Sequence, residues 1–358
     1  MPTEVSPTTA STASSKPIDD RLPQPPSSTA RQSAPSDHRP SAGPLVSTTA
    51  LFLWLVYLVI VVALPQADLL RKESTTPVAV LAGTWLITLI AWTLTARVRP
   101  TSPAARSLTH FLPWINATGA WFIVWQPTTS KLGLLTPPYF AAPEVLIASF
   151  LGDWRLLLSC LGASALLFII GYTAGSVLGF FTGLLMGWSR RADYWLHPLL
   201  QTIGPVPAAS LLPLALLLLP TTYTSAAFIV GFGAWFPMAT MTRAGVRSVR
   251  RDYIDMARTL GADELFLIRR VAVPSALPDM LTGLFTGLGT SLAALMTAEL
   301  TGVDKGLAWY INWVKGWADY PRMYVGLIIL VTFCRTLMVM LFKIRSSLLA
   351  WQQNLVRW

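Results

Sequence analysis

The chain is short of charge, cysteine and histidine. Asp, Glu, Lys and Arg make up 12% of its 358 residues, about half the share of an ordinary soluble domain, while 53% are hydrophobic and the mean hydropathy is +0.53. That composition excludes a water-soluble domain and describes a polytopic membrane protein. The two cysteines, Cys160 and Cys334, both fall inside apolar runs, which leaves no disulfide framework and no metal-ligand spacing. His38, His110 and His197 are scattered over a polar tail and two separate apolar segments, which argues against a membrane-embedded enzyme built on clustered His, Asp, Glu or Cys. No lysine follows a glycine, so the Gly-Lys of a phosphate-binding P-loop is missing. ATP, if it is used, is hydrolysed elsewhere.

The net charge of +10 is not the footprint of a nucleic-acid binder. The basic residues sit in short segments between apolar runs, where they orient a chain in the membrane. Residues 1–44 are rich in Pro, Ser and Thr and lack the aromatic and branched residues of a core, so a disordered tail is expected there. It is too long and too polar for the start of a secretory signal, and the first apolar run is expected to stay as an anchor.

A spanning helix needs about 20 apolar residues. Eight runs qualify, near 46–65, 77–97, 109–127, 155–187, 195–219, 223–243, 279–300 and 322–343. Arg97, Arg99 and Arg106 follow the second, Arg190 and Arg191 the fourth, and Arg243, Arg247, Arg250, Arg251, Arg258, Arg269 and Arg270 the sixth. The positive-inside rule makes these three connections cytoplasmic. Alternation then puts both termini inside, in agreement with Lys343, Arg345 and Arg357; Arg71 and Lys72 dissent.

The most charged of these connections contains "DYIDMARTLGADELFLIRRVAVP", 252–274. "DYIDMARTL" favours a helix, and Gly261 stands where a helix ends on a left-handed residue. Asp263 can cap a second helix, with Leu265, Ile268 and Ala272 on one face, that cannot pass Pro274 unchanged. A helix–glycine–helix knuckle on the inner face suits docking into a groove of another protein.

Asp255, Met256 and Ala257, then Gly261, then Val271, Val273 and Pro274 resemble the EAA signature of ABC importer permeases: Glu-Ala-Ala, three residues, Gly, nine residues, Ile, one residue, Leu-Pro. Asp255 stands for the Glu, and the spacing is intact. The blocks "GLLTPPYFAAPEVL", "GLLMGWSRRADYWLHPLLQTIGPVPAASLLPL", "GAWFPMATMTRAGVRSV", "VPSALPDMLTGLFTGLG" and "TAELTGVDKGLAWYI" are similar to the subfamily importing nitrate, sulfonates, taurine or bicarbonate. The resemblance runs from about residue 108 to the end.

It implies an all-α polytopic fold, a six-span type I permease core over 108–358, preceded by two extra transmembrane helices over 45–107 and the tail. It also implies a coupling helix at about 250–274, with Asp255, Met256, Ala257, Arg258, Gly261, Ala262, Asp263, Glu264, Val271 and Pro274 meeting a cytoplasmic ABC ATPase. That partner would bind ATP and Mg, and this chain would need no cofactor. A second copy of the chain, an extracytoplasmic substrate-binding protein and a small solute, an oxyanion or organosulfonate, complete the assembly in a bacterial plasma membrane. A secondary transporter is the rival reading, although inverted repeats and paired intramembrane charges are not evident.

Further features each admit two readings. Gly171, Gly175, Gly179, Gly183 and Gly187 recur every fourth residue and form a smooth helical ridge, for close helix contact before a pathway lining. Pro205 and Pro207 break a membrane segment, where freed backbone and Ser210 can line a cavity. Glu299, beside Thr297 and Thr301, is either a pathway residue or the partner of Lys305 or Lys315. Trp309, Trp313 and Trp317, at i, i+4 and i+8, form an interfacial belt or an outer gate.

Deleting residues 1–44 leaves all eight runs intact. The shortened chain is expected to accumulate in the membrane fraction at the level of the full chain on an immunoblot, and a marked loss would show that the tail does more than extend into solvent.

Overall fold

A computed structural model describes residues 44–66, 74–98, 103–135 and 138–349. The tail up to residue 43, the dissenting pair Arg71 and Lys72, Arg99 and Arg357 lie outside the described residues. Among the described residues every regular element is helical. In chain order they are α1 (Pro44–Ala63), α2 (Thr76–Val98), α3 (Pro103–Gln126), α4 (Pro143–Trp188), α5 (Arg190–Ile203), α6 (Leu212–Leu218), α7 (Thr222–Arg247), α8 (Arg251–Thr259), α9 (Glu264–Phe266), α10 (Val273–Thr301), α11 (Leu307–Gly316) and α12 (Tyr320–Leu348). Where eight spans were expected, five stretches among the described residues are long and apolar enough to cross a membrane: α2, α4, α7, α12 and the continuous run Glu264–Thr301; the bent pair α5 and α6 makes a sixth, whereas α1, apolar over the shorter Ser47–Ala63, and the more polar α3 fall short.

The glycine ridge sets the arrangement. Gly171 meets Ala227 and Val230 of α7, Gly179 meets Trp235 and Met238, Gly183 meets Ala239 and Thr242, and Gly187 meets Val246. Both numbers rise together, so α4 and α7 lie parallel, with Gly175 seated on the backbone carbonyl of Gly231. Two helices that are separated by one further crossing must be parallel if the chain alternates across the membrane. The ridge is therefore used for contact within the subunit. α10 returns antiparallel on another face of α7: Gly245 meets Ala276, Gly283 meets Pro237 and Met238, and Gly287 meets Ala234. Ser291 Oγ donates to the Val230 carbonyl at 2.9 Å and Thr290 Oγ1 to that of Gly233 at 2.6 Å. Small residues let the backbones approach, and hydroxyls bridge them, because lipid offers no hydrophobic drive for helix association. Leu167, Phe168, Leu212, Ile229, Leu288 and Leu295 fill the centre.

The first three helices form a separate bundle around Trp54, Tyr57, Leu86, Leu89, Leu112 and Ile115. Trp54 Nε1 donates to the Ile115 carbonyl at 3.2 Å, and Lys131 Nζ donates to the carbonyls of Val61 and Leu64 at 3.1 and 2.6 Å. α1 and α3 thus run parallel, again as alternation requires. α3 carries His110, Asn116 and Thr118 and is the less apolar of the two.

Three elements differ from expectation. α4 begins at Pro143 rather than near 155 and runs 46 residues, about 69 Å at 1.5 Å per residue. Its outer turns carry Asp153, which accepts from Tyr310 Oη at 2.8 Å and pairs with Arg322 at 3.2 Å, so a charge that would end a membrane run is satisfied by α11 and α12. The fifth run is two helical stretches, Arg190–Ile203 and Ala208–Leu218, bent by 92° across Gly204–Pro207, where Pro205 and Pro207 deny the backbone its donors. The helix after Asp263 continues through Pro274 to Thr301, because a π-turn over Leu267–Ala272 widens the helix just ahead of the proline. That extra residue also shifts part of the expected face: Ala272 is buried as expected, but Leu267 is buried in place of Leu265, which is 52% exposed.

The seam predicts a sharp contrast. Gly175→Val forces a side chain into the Gly231 backbone and should cost about 3 kcal/mol, whereas Gly162→Ala, which meets nothing within 4 Å, should change stability by less than about 1 kcal/mol. Thermal unfolding of the purified variants in detergent reads the difference.

Candidate functional site

The knuckle between α8 and α9 is built as the residue types demand. Gly261 has φ +84°, the left-handed conformation that glycine adopts freely. Its N–H donates to the Arg258 carbonyl at 2.9 Å and that of Ala262 to the Ala257 carbonyl at 3.1 Å, the paired bonds of a Schellman C-terminus. Asp263 then caps the next helix, accepting from the Phe266 N–H at 2.9 Å. Arg258 and Glu264 pair across the turn at 2.9 Å. The pair is solvent-exposed, and such pairs contribute little to stability. The turn is set by backbone bonds.

α8 presents two faces. Arg251, Ile254, Asp255 and Arg258 line a cavity shared with the ends of α4 and α7. Tyr253, Met256 and Leu260 point away, 51%, 60% and 84% exposed. With Leu265 and Phe266, also half exposed, they make an apolar knuckle around a small concavity lined by Ala257, Leu260, Gly261 and Phe266. An exposed apolar patch rimmed by charge marks an interaction surface.

At the opposite end, Glu299 is 1% exposed. Its carboxylate accepts from Ser164 Oγ at 2.5 Å and from the Ala308 N–H at 2.9 Å, while Ser164 Oγ accepts from the Leu307 N–H at 2.8 Å. Glu299 thereby caps α11 from the end of α10, where a carboxylate complements the orphan N–H groups of a helix start. Neither Lys305 nor Lys315 takes the pairing role. Gly306 is needed beside it, since a Cβ there would enter the carboxyl group.

Residues 175–349 match the family of binding-protein-dependent transport system inner membrane components. An aliphatic sulfonates transport permease of Escherichia coli (strain K12) is 30% identical over 181 residues, 49% of this chain and 67% of the relative. The chain belongs to this family. It is an ABC importer permease. A bicarbonate transport system permease of Synechococcus elongatus is 29% identical over 107 residues, covering 30% of this chain and 38% of that protein. A solved methionine ABC transporter aligns over 55% of this chain and 98% of that one at 18% identity, TM-score 0.48.

The residues singled out in the permease sequence fall in different settings. Of the coupling set, Met256 is open to a partner, Asp255, Arg258 and Glu264 face the arginine-lined cavity, and Val271 and Pro274 sit in and after the π-turn. Pro205, Pro207 and Ser210 are exposed at the break of the fifth span, with Ser210 Oγ donating to the Pro207 carbonyl at 2.7 Å. Thr297 is half-buried and donates to the Ala293 carbonyl at 3.2 Å. Trp309 and Trp313 stack with ring centroids 5.9 Å apart and planes 3° apart; Trp309 packs beside α4 and α12, Trp313 is exposed, and Trp317 lies past the end of α11. The break belongs to the neighbourhood of α7 and α10, so the structure divides these candidates between two places.

Sequence reasoning passed over Tyr253, Leu260 and Phe266, whose apolar character on a strongly charged connecting segment was the available signal. It also passed over Glu144. That carboxylate is 1% exposed and accepts from Ser130 Oγ, from Gln126 Nε2 at 2.9 Å and from Gln66 Nε2 at 3.3 Å, tying the first bundle to the start of α4.

The outer clamp carries its own prediction. Glu299→Ala leaves a buried hydroxyl and a helix-start N–H without their acceptor and should destabilise the permease by about 3 kcal/mol, while Glu299→Gln keeps an acceptor and should lose less. Comparing unfolding temperatures of the two variants decides the matter; equal values would show that the carboxylate is dispensable.

Proposed function

We propose that this permease forms the transmembrane pathway for a small oxyanion or organosulfonate, working as a homodimer with two cytoplasmic ATPase subunits and an extracytoplasmic binding protein. The observation that carries the reading is the rigid knuckle at Gly261 with its exposed apolar face. A helix-in-groove contact needs such anchors at helical spacing on an element that does not flex. In this reading ATP and Mg bind to the partner, closure of the ATPase pair moves the knuckle, and α10, continuous with α9 through the π-turn, carries that motion into the membrane. The arginine-rich ends of α4 and α7 face the cytoplasm and both termini lie there.

The solute class follows from what the relatives are named for, aliphatic sulfonates and bicarbonate, both anions. Polar groups for such a solute are available where the fifth span breaks, at Pro205, Pro207 and Ser210, since irregular backbone at membrane depth is tolerated where it faces protein or water. Thr297, Trp309 and Trp313 belong to the outer portion of the same proposed route. Glu299, enclosed by Ser164 and the start of α11, acts in this proposal by holding that outer portion in shape.

Co-purification of the tagged chain from its own membranes tests the reading. A P-loop ATPase is expected in equal amount. Leu260→Asp should lower its recovery about tenfold, equivalent to ~1.4 kcal/mol of contact energy, and Gly261→Val should do the same by straining the left-handed turn while leaving membrane insertion intact. Normal ATP-dependent transport in both variants would discard the assignment.

A further inference from the structure

A cavity of about 700 Å³ lies beneath α8, on the side away from the apolar knuckle, closed above by the last turns of α4 and α7. Gly187, Trp188 and Val246 line its membrane side. Arg190, Arg247, Arg251 and Arg258 surround it, together with the carboxylates of Asp255 and Glu264. Two of the arginines are already engaged: Arg247 pairs with Asp193 at 2.5 Å and Arg258 with Glu264 at 2.9 Å. Arg190 and Arg251 have no ion pair among the described residues. They are the first residues of α5 and α8, whose positive ends lie at the cavity opposite the negative ends of α4 and α7, so the helix dipoles largely offset one another and the arginine side chains supply the positive charge.

Two guanidinium groups without an ion pair line one cavity, and a doubly charged anion that reaches both is attracted by each. The planar fork of arginine matches the oxygens of phosphate, sulfate and sulfonate. Asp255 limits the site to an anion that engages the arginine side, and the apolar membrane side leaves room for a group attached to it. We propose that this cavity binds a tetrahedral oxyanion group between Arg190 and Arg251. The chemistry is shared by the headgroup of an anionic phospholipid, reaching in past Trp188, and by a free anion from the cytoplasm. Because α8 separates the cavity from the knuckle, an anion bound here ties α8 to the ends of α4 and α7 and adjusts how firmly the docking face is held. The site depends on neither the ATPase nor the transported solute, so its failure leaves the proposed function untouched.

The test uses the full chain in detergent. Sodium sulfate or phosphate is titrated against sodium chloride at matched ionic strength, which removes general screening, and the unfolding temperature is followed. A saturable rise beyond that in chloride is expected, with apparent affinity at least about tenfold weaker in Arg190→Gln/Arg251→Gln. Both side chains are exposed and unpaired, so an unchanged size-exclusion profile is expected; if the double variant aggregates, Arg251→Gln alone gives the same readout. A second arm transfers the chain into nanodiscs of phosphatidylglycerol or phosphatidylcholine. Stabilisation by phosphatidylglycerol that the double variant loses assigns the site to a lipid headgroup, and a rise with free sulfate or phosphate alone assigns it to a soluble anion. No rise beyond chloride in detergent and no preference for phosphatidylglycerol, or responses equal in wild type and variant, would overturn the proposal.

Discussion

The contact of Gly175 with the Gly231 carbonyl is the constraint from which the rest of the permease follows. It brings α4 and α7 to backbone distance along a seam of five glycines, and their parallel course requires a crossing between them. That crossing is the bent pair α5 and α6. It also fixes both helix ends at the same level, so that Trp188 and Arg247 frame one cavity and α8 hangs below them. α10, laid antiparallel on α7 by Gly245, Gly283 and Gly287, then delivers Glu299 to the end away from α8, opposite Ser164 of α4. In a bilayer, where apolar surface alone does not hold helices together, such close approach is the main source of adhesion.

Two carboxylates buried at the end away from α8 are satisfied by the architecture. Glu299 holds the start of α11, and Glu144 joins Gln66, Gln126 and Ser130. A buried carboxylate without partners is strongly unfavourable, whereas one that accepts several bonds makes its neighbours interdependent. Glu144 makes the first bundle more than a pair of loosely appended helices, since Gln66 follows α1 and Gln126 ends α3. The two ends of the permease are thus organised by different means, buried carboxylates at one and backbone turn chemistry at the other.

Much of this was legible in the chain. Gly261 and Asp263 announced the end of one helix and the start of the next because both signals are local, depending on φ and on a cap within three residues. The glycine spacing announced close contact, and Pro205 and Pro207 announced a broken span. The π-turn was not legible, because a one-residue widening has no composition of its own, and it turned Leu265 outward where a regular helix would have placed it inward. Glu299 was marked as an unusual acid, but its partners, Ser164 and the amide of Ala308, sit 135 and 9 residues away, and a backbone amide carries no sequence label.

The sequence by itself determined the membrane setting, the all-helical class and the turn at Gly261, since each rests on apolar run length or short-range turn chemistry. The tertiary structure decided which glycine meets which helix, which face of α8 is left exposed and which lines the arginine cavity, and that Glu144 and Glu299 are clamps. Those outcomes depend on pairing between helices far apart in the chain, where the deciding contacts are with backbone atoms that every residue possesses.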